Sequence, residues 1–228
     1  EEAKKAYREM NSARQESIAS VASEYDHLSA LKTELNGLID SNGQVKKGYE
    51  DRANFIVNEL ASALGLEQQQ IWELIQKNGQ LGDSIDQLIA KKRAEALLSA
   101  NEEAYTEALK QKDAALKTYQ SSLKTYDEAQ SNYTQTQRDA NDVLDIYNDK
   151  LKESPQQAQI YLNSHQDIID ANKEAKKSYE KAKKGLEDSE EAYVGYNATI
   201  QNYEGLSSAI ISGDSAKIDI AMRNMEKS

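Results

Sequence analysis

Apolar residues in the first part of the chain recur at spacings of three and four, the period that places side chains on one face of a helix. This row predicts a single N-terminal helix over residues 1–39. Turn-forming residues at 40–43 are expected to end it. The row consists of Ile18, Val21, Tyr25, Leu28, Leu31, Leu35 and Leu38.

Residues 40–82 form a second region, in which short apolar stretches alternate with glycine. The pattern predicts one short helix over about residues 46–64 and another around residues 71–75. Gly65 is a plausible end for the first, because glycine adopts the left-handed cap conformation at little cost. Trp72 could be an exposed anchor for a partner, but packing within this region is the favoured interpretation. We therefore expect a small elbow of short helices.

A seven-residue apolar repeat follows Asp83, in a stretch that lacks glycine and proline. It predicts one heptad helix over residues 83–152, about 105 Å long at 1.5 Å per residue. Leucines take most of one core position of this repeat and tyrosines most of the other, so both are expected to lie in a helix seam. The expected seam residues are Leu98, Tyr105, Leu109, Leu116, Tyr119, Leu123, Tyr126, Tyr133, Leu144, Tyr147 and Leu151.

Ser154 and Pro155 mark the start of another helix, since serine is a good N-cap and proline is tolerated at the first helical position. Alternating steps of four and three predict a second heptad helix over residues 155–204. Short helices are expected over residues 205–228, separated at Gly213. The expected seam residues of the second heptad helix are Tyr161, Ile168, Tyr179, Leu186, Tyr193, Tyr196, Ile200 and Tyr203.

These elements predict an all-α chain whose long helices form a coiled coil or an antiparallel helical hairpin. A turn of two or three residues between the two heptad helices suits a hairpin. The pattern does not choose an oligomeric state, because leucine at one core position and tyrosine at the other favour none clearly. Self-association through the heptad seams therefore stays open as an alternative to pairing within one chain.

Composition narrows the classes of function. The chain has 228 residues, no cysteine and a formal net charge of -11. A nucleic-acid-binding protein needs a basic face, so no specific nucleic acid is expected as a partner. No apolar run approaches the roughly 18–20 residues of a membrane span. The first residues contain neither methionine nor a signal-like apolar stretch, which favours a segment of a longer protein.

Candidate chemistry is sparse. His27 and His165 lie on different predicted helices, and the acidic neighbours of His27 in sequence do not share its helix face. Residues 40–51 resemble a calcium loop, but Val45 stands where the turn needs glycine. No phosphate-binding loop or hydrolase motif occurs. We therefore expect no enzyme activity, no catalytic, cofactor-binding or metal-binding residues, and no small-molecule substrate.

Two stretches resemble a known family. Residues 31–60, LKTELNGLIDSNGQVKKGYEDRANFIVNEL, are similar to a segment of the tail tape measure proteins of phages and prophages of Gram-positive bacteria. Residues 85–98, IDQLIAKKRAEALL, followed by NEEAY at 101–105, resemble the continuation in the same proteins. The resemblance covers roughly residues 28–110, and the tyrosine-rich remainder is compatible with it but less specific.

The resemblance implies a large, mostly helical virion protein inside the tail tube. Its length would set the tail length while tube subunits polymerise around it, and it would leave the tail ahead of the DNA. The implied partners are tail tube and tail assembly proteins, including chaperones. The implied locations are the virion tail tube interior and, during assembly, the host cytoplasm.

Two other interpretations stay open. The stretch 119–133, with tyrosine and alanine at heptad spacing, is also typical of the helical stalks of bacterial surface adhesins. A cytoplasmic coiled-coil scaffold or chaperone is the third interpretation. All three are structural or interaction roles that require no active site.

Overall fold

The structure, a computed structural model, describes residues 2–79 and 81–227. These residues form eight α-helices joined by short turns, which confirms the predicted all-α class. The helices are α1 Glu2–Leu38, α2 Glu50–Leu64, α3 Gln68–Asn78, α4 Asp83–Ala100, α5 Glu102–Glu153, α6 Pro155–Ser164, α7 Gln166–Ser212 and α8 Ser215–Lys227.

The chain divides into two compact units. Unit 1 comprises Glu1–Tyr7 and Lys110–Tyr196. Unit 2 comprises Arg8–Leu109 and Asn197–Ser228. Unit 1 thus holds α6 with most of α5 and α7, and unit 2 holds α2, α3, α4 and α8 with most of α1.

Unit 2 contains a hydrophobic core to which α1, α2, α3 and α4 contribute. Leu35, Ile56 and Leu60 are fully buried, and a buried leucine stabilises a fold by about 1.5–3 kcal/mol. Trp72 packs against this core and is partly buried, so its ring lies within the elbow. The core residues are Tyr25, Leu28, Leu31, Leu35, Ile39, Ala53, Ile56, Val57, Leu60, Ala61, Leu64, Ile71, Ile75, Leu81, Ile85 and Ile89.

A second apolar cluster in unit 2 joins α4 to α8 and to the last turns of α7. Arg93 on α4 supports it with two ion pairs, to Asp26 at 2.9 Å and to Glu226 at 2.8 Å. These pairs connect α1, α4 and α8 at the edge of the cluster. Its buried residues are Ile18, Ala94, Leu97, Leu206, Ala209, Ile218, Met222 and Met225.

The turns of the elbow follow from their sequence. Gly65 ends α2 in the left-handed conformation, with φ 69°, as expected from its position. The Asp40 carboxylate accepts hydrogen bonds from the backbone N–H groups of Asn42 and Gln44 at 2.8 and 2.9 Å. The turn that follows α1 is therefore closed by its own carboxylate, and α2 begins at Glu50, four residues later than expected.

The predicted uninterrupted helix over residues 83–152 is wrong at one point, because α4 and α5 are separated at Asn101. The backbone of Asn101 takes φ -105° and ψ 2°, outside the helical region. Its side-chain amide donates to the Leu97 carbonyl oxygen at 2.7 Å, in competition with the helical ladder. The break therefore lies at a short polar residue, whose backbone N–H also donates to the Leu97 carbonyl oxygen at 3.1 Å, where periodicity predicted continuity.

The second heptad helix also departs from its predicted bounds. It begins at Pro155 as expected, and the Ser154 hydroxyl accepts from the backbone N–H of Gln157 at 3.4 Å. It is divided at His165 into α6 and α7, and α7 continues to Ser212, past the expected end at residue 204. Only α8 is a separate C-terminal helix. The break before it is at Gly213, with φ 66°, as the sequence predicts.

Candidate functional site

The candidate site is the seam along which α5 and α7 pack in unit 1. Its partners run in opposite directions along the two helices, which makes the pair an antiparallel hairpin. Tyr119 contacts Tyr193, Tyr133 contacts Tyr179, and Lys150 near the end of α5 contacts Tyr161 on α6. The reversal therefore takes place at Ser154, and α6 already runs back beside α5.

Stacked tyrosines form the centre of this seam. The rings of Tyr119 and Tyr193 are 5.8 Å apart and nearly parallel. The Tyr179 ring lies 5.5 Å from both Tyr126 and Tyr133, so one ring of α7 contacts two rings of α5. Such aromatic pairs contribute about 0.5–1.5 kcal/mol beyond the area they bury.

The tyrosine hydroxyls stay close to polar partners. The Tyr126 and Tyr179 hydroxyls lie 3.4 Å apart, and this contact, with burial of the ring, raises the pKa of Tyr126. Two to three turns further along, the Thr136 hydroxyl lies 3.2 Å from the Tyr133 carbonyl oxygen and 3.3 Å from the Asn172 side-chain oxygen. The seam therefore contains polar contacts beside its rings, and its tyrosines are only partly buried.

Small side chains accompany the tyrosines on α5. The positions three residues after Tyr119, Tyr126, Tyr133 and Ala140 are occupied by Ser122, Ala129, Thr136 and Val143, respectively. Ala140 and Val143 are buried, and the others are partly buried. These small residues leave room beside the stacked rings on the face of α5 that packs toward α7.

Four of the leucines predicted as seam residues on α5 are exposed, whereas Leu116 is partly buried. Leu109, Leu123, Leu144 and Leu151 are between 39% and 47% exposed, which corrects the expected frame. The inward row is the alanine, serine and threonine row described above, and the leucines lie on its flank. Leucine dominates a hydrophobicity pattern, whereas the face of α5 that packs against α7 is the one whose tyrosine rings contact the rings of α7.

The remaining predicted seam residues fall into two sets by burial. Tyr196 and Ile200 are buried. In unit 2 the Tyr105 and Tyr203 rings stack at 4.1 Å, and the Tyr105 hydroxyl donates to Glu204 at 3.3 Å. Those that are partly buried are Leu98, Tyr105, Leu116, Tyr119, Tyr126, Tyr133, Tyr147, Tyr161, Ile168, Tyr179, Leu186, Tyr193 and Tyr203.

The start of α1 docks onto α7 in unit 1, a contact that periodicity gave no reason to expect. The Tyr7 ring meets Tyr196 edge-on at 5.3 Å. It also covers Gly195 so closely that a Cβ at this position would collide with the ring. Lys4 donates to the buried Asp188 carboxylate at 2.6 Å and lies 3.1 Å from Glu191. Only spatial proximity, not sequence spacing, reveals this contact.

The Lys4–Asp188 pair makes the stability of unit 1 depend on pH. The hydrogen bond from Lys4 lowers the pKa of Asp188 below the ordinary 3.8. Because the folded-state pKa is the lower one, the contribution is complete above about pH 4 and is lost as the pH falls through the folded-state value. We expect Lys4→Met to lower the urea midpoint of unit 1 at pH 7, and the difference from wild type to vanish at low pH.

The exposed pair of Lys152 and Asp149, 2.8 Å apart, supplies the matched control for that measurement. Both of its side chains are more than three-quarters exposed, so solvent screens the attraction. Lys152→Met is expected to leave the midpoint nearly unchanged. An equal loss from both substitutions would contradict the role assigned to Asp188.

The two histidines and the calcium-like loop take structural positions. His165 Nδ1 lies 2.9 Å from the Tyr161 carbonyl oxygen, and its ring lies 4.2 Å from the Tyr161 ring. His27 is exposed on α1. The Asp40 carboxylate is occupied by backbone N–H groups. Within residues 2–79 and 81–227 no histidine and carboxylate groups converge in a way that could hold a metal ion.

Comparison with protein-family models, with curated proteins and with solved structures finds no match for the chain. Across the described parts of the chain, every helix is too short or too polar to cross a bilayer.

Proposed function

We propose that the chain is a structural segment of a phage tail tape measure protein, with no catalytic role. The proposal rests first on the resemblance of residues 31–60 and 85–98 to that family. The observation that carries it is a run of long helices, because a helix converts residue number into length at about 1.5 Å per residue. The 52-residue helix α5 alone corresponds to about 78 Å.

The hairpin gives this segment two lengths. With α5 beside α6 and α7, it spans about 80 Å, whereas residues 102–212 extended as one continuous helix would span about 165 Å. The seam that holds the hairpin closed is narrow, and its tyrosines are only partly buried. Such a seam supports a protein that opens when tube subunits enclose it and that later passes through a narrow channel.

An in-frame deletion tests the proposal in the phage or prophage that encodes the chain. Removing residues 102–212 should shorten the tail by about 165 Å if the hairpin is open there, or by about 80 Å if it stays closed. Tail lengths are measured by electron microscopy of negatively stained particles. Replacing the same residues with an unrelated helical segment of equal length is the control and should preserve tail length. Infectious particles with unchanged tails after the deletion would contradict the proposal.

A helical stalk of a bacterial surface adhesin is the second candidate. The pairing of α5 and α7 within one chain favours it, because a stalk has to hold its helices together without an enclosing tube. Antibodies against the chain distinguish the two, since they should label intact cells for an adhesin. For a tape measure protein they should label disrupted but not intact virions.

A further inference from the structure

Burial along α7 is uneven within unit 1. Ala175 is the only buried residue of this helix between residues 166 and 187, whereas five residues are buried between 188 and 196. The start of α1 covers this second stretch, and we call residues 2–7 the strap. The five buried residues are Asp188, Ser189, Ala192, Gly195 and Tyr196.

The strap contacts α7 through two side chains of different chemistry. Lys4 and Tyr7 are three residues apart in α1, so they lie on the same face of the helix. Lys4 donates to the Asp188 carboxylate at 2.6 Å, and the Tyr7 ring meets the Tyr196 ring edge-on at 5.3 Å. The two contacts therefore hold the strap at both ends of the buried stretch of α7.

The charged contact couples the strap to the packing of α7. The Asp188 side chain is only 6% exposed, and that of Lys4 is 23% exposed. Removing one partner of a buried ion pair is strongly destabilising, because the remaining charge has lost both its partner and most of its water. Asp188 can regain water only if α7 loosens around it, so release of the strap and loosening of this stretch are expected to occur together.

Two glycines of α7 differ in what lies beside them. At Gly195 an added Cβ would collide with the Tyr7 ring, whose far end occupies that space. At Gly185, on the same helix, an added Cβ would meet nothing within 4 Å. Both glycines lower helix stability to a similar extent, so the difference between them is the ring of the strap.

We propose that the strap locks residues 188–196 of α7 in place, and that the α5–α7 hairpin therefore opens in two stages. Opening begins at the end near Ser154, where few side chains are buried. Release of the strap is a separate and later step, because it breaks the Lys4–Asp188 pair and withdraws the Tyr7 ring. The inference does not rest on the proposed function, since it uses only contacts and burial within unit 1.

Amide hydrogen exchange of the full chain, resolved by residue, tests the order of opening. In wild type, the amides of residues 188–196 are expected to exchange about tenfold or more slowly than those of residues 166–187. Tyr7→Ala should remove most of this difference by accelerating exchange in 188–196, with exchange in 166–187 changed by less than about twofold. Equal protection of both stretches in wild type would overturn the proposal. So would a Tyr7→Ala variant that exchanges like wild type or that accelerates both stretches equally.

Alanine at the two glycines tests whether the Tyr7 ring is the part of the strap that locks α7. Gly195→Ala should displace the ring and accelerate exchange in residues 188–196 by about tenfold. Gly185→Ala is the matched control and should slow exchange around it by about 2–5-fold, because alanine favours the helix. In the Tyr7→Ala variant no ring remains to collide, so adding Gly195→Ala should slow exchange as Gly185→Ala does. Acceleration by Gly195→Ala both with and without Tyr7, or in neither case, would overturn the role assigned to the strap.

Discussion

Replacing Leu60 with alanine is expected to destabilise unit 2 by about 2–5 kcal/mol, the largest loss for any single truncation considered. Leu60 has no exposed surface and belongs to the core formed with α1, α3 and α4. The truncation removes apolar contacts and leaves a cavity, because helices fixed on several sides relax only partly around it. Urea unfolding monitored by circular dichroism, together with the fluorescence of Trp72 in the same core, measures the loss.

Leu123→Ala is the matched control for this prediction, since the chemical change is identical. Leu123 is 39% exposed, and its side chain lies outside both the tyrosine seam and the unit 2 core. At a concentration where the chain is monomeric, the expected cost is below about 1 kcal/mol. If the two alanine variants lost equal stability, the assignment of the core to unit 2 would be untenable.

Local rules account for much of the fold. Apolar periodicity predicts the end of α1 within one residue, and the conformations of Gly65 and Gly213 follow from their positions in the sequence. The start of α6 at Pro155 follows from the N-cap serine before it. These features depend on residues a few positions apart, so a single sequence is sufficient to predict them.

The face that α5 presents to α7 could not be predicted in the same way. Heptad analysis scores Leu123 above Ser122, yet Ser122 lies nearer the seam because the rings of Tyr119 and Tyr126 fill the space between the helices. From the sequence alone, the residues on either side of the tyrosine row of α5 are equally able to face α7 together with the tyrosines. Which of these two sets of residues faces α7 depends on the tyrosine rings of α7, which are distant in sequence. The choice is therefore a tertiary one.

Three further features depend on contacts across the chain. In the sequence, Gly195 indicates lower helix stability, but in the structure its lack of a side chain leaves the space that the Tyr7 ring occupies. Asp188 reads as a solvated charge, yet it is buried beneath Lys4, 184 residues away in sequence. Periodicity places Asn101 inside a helix, whereas α4 ends before it and its side-chain amide donates to the Leu97 carbonyl oxygen. Sequence periodicity contains no signal for any of these.

Replacing Tyr179 with alanine is expected to destabilise the α5–α7 hairpin of unit 1 by about 2–3 kcal/mol. Tyr179 is the ring that contacts both Tyr126 and Tyr133 at 5.5 Å, so a single truncation removes two aromatic pairs. The estimate is below that for a fully buried ring because Tyr179 is partly exposed. Amide hydrogen exchange within residues 110–196 should accelerate, because local opening becomes less costly there.

Tyr179→Phe separates the ring from its hydroxyl. Phenylalanine keeps both ring contacts and loses only the 3.4 Å contact between the Tyr126 and Tyr179 hydroxyls, so a cost of about 0.5–1 kcal/mol is expected. If phenylalanine and alanine were equally damaging, hydrogen bonding and not stacking would hold the hairpin. If neither accelerated exchange, the seam would contribute nothing to pairing. A ring-dominated result means that opening the hairpin requires separating tyrosine rings that recur about every two helical turns along α5.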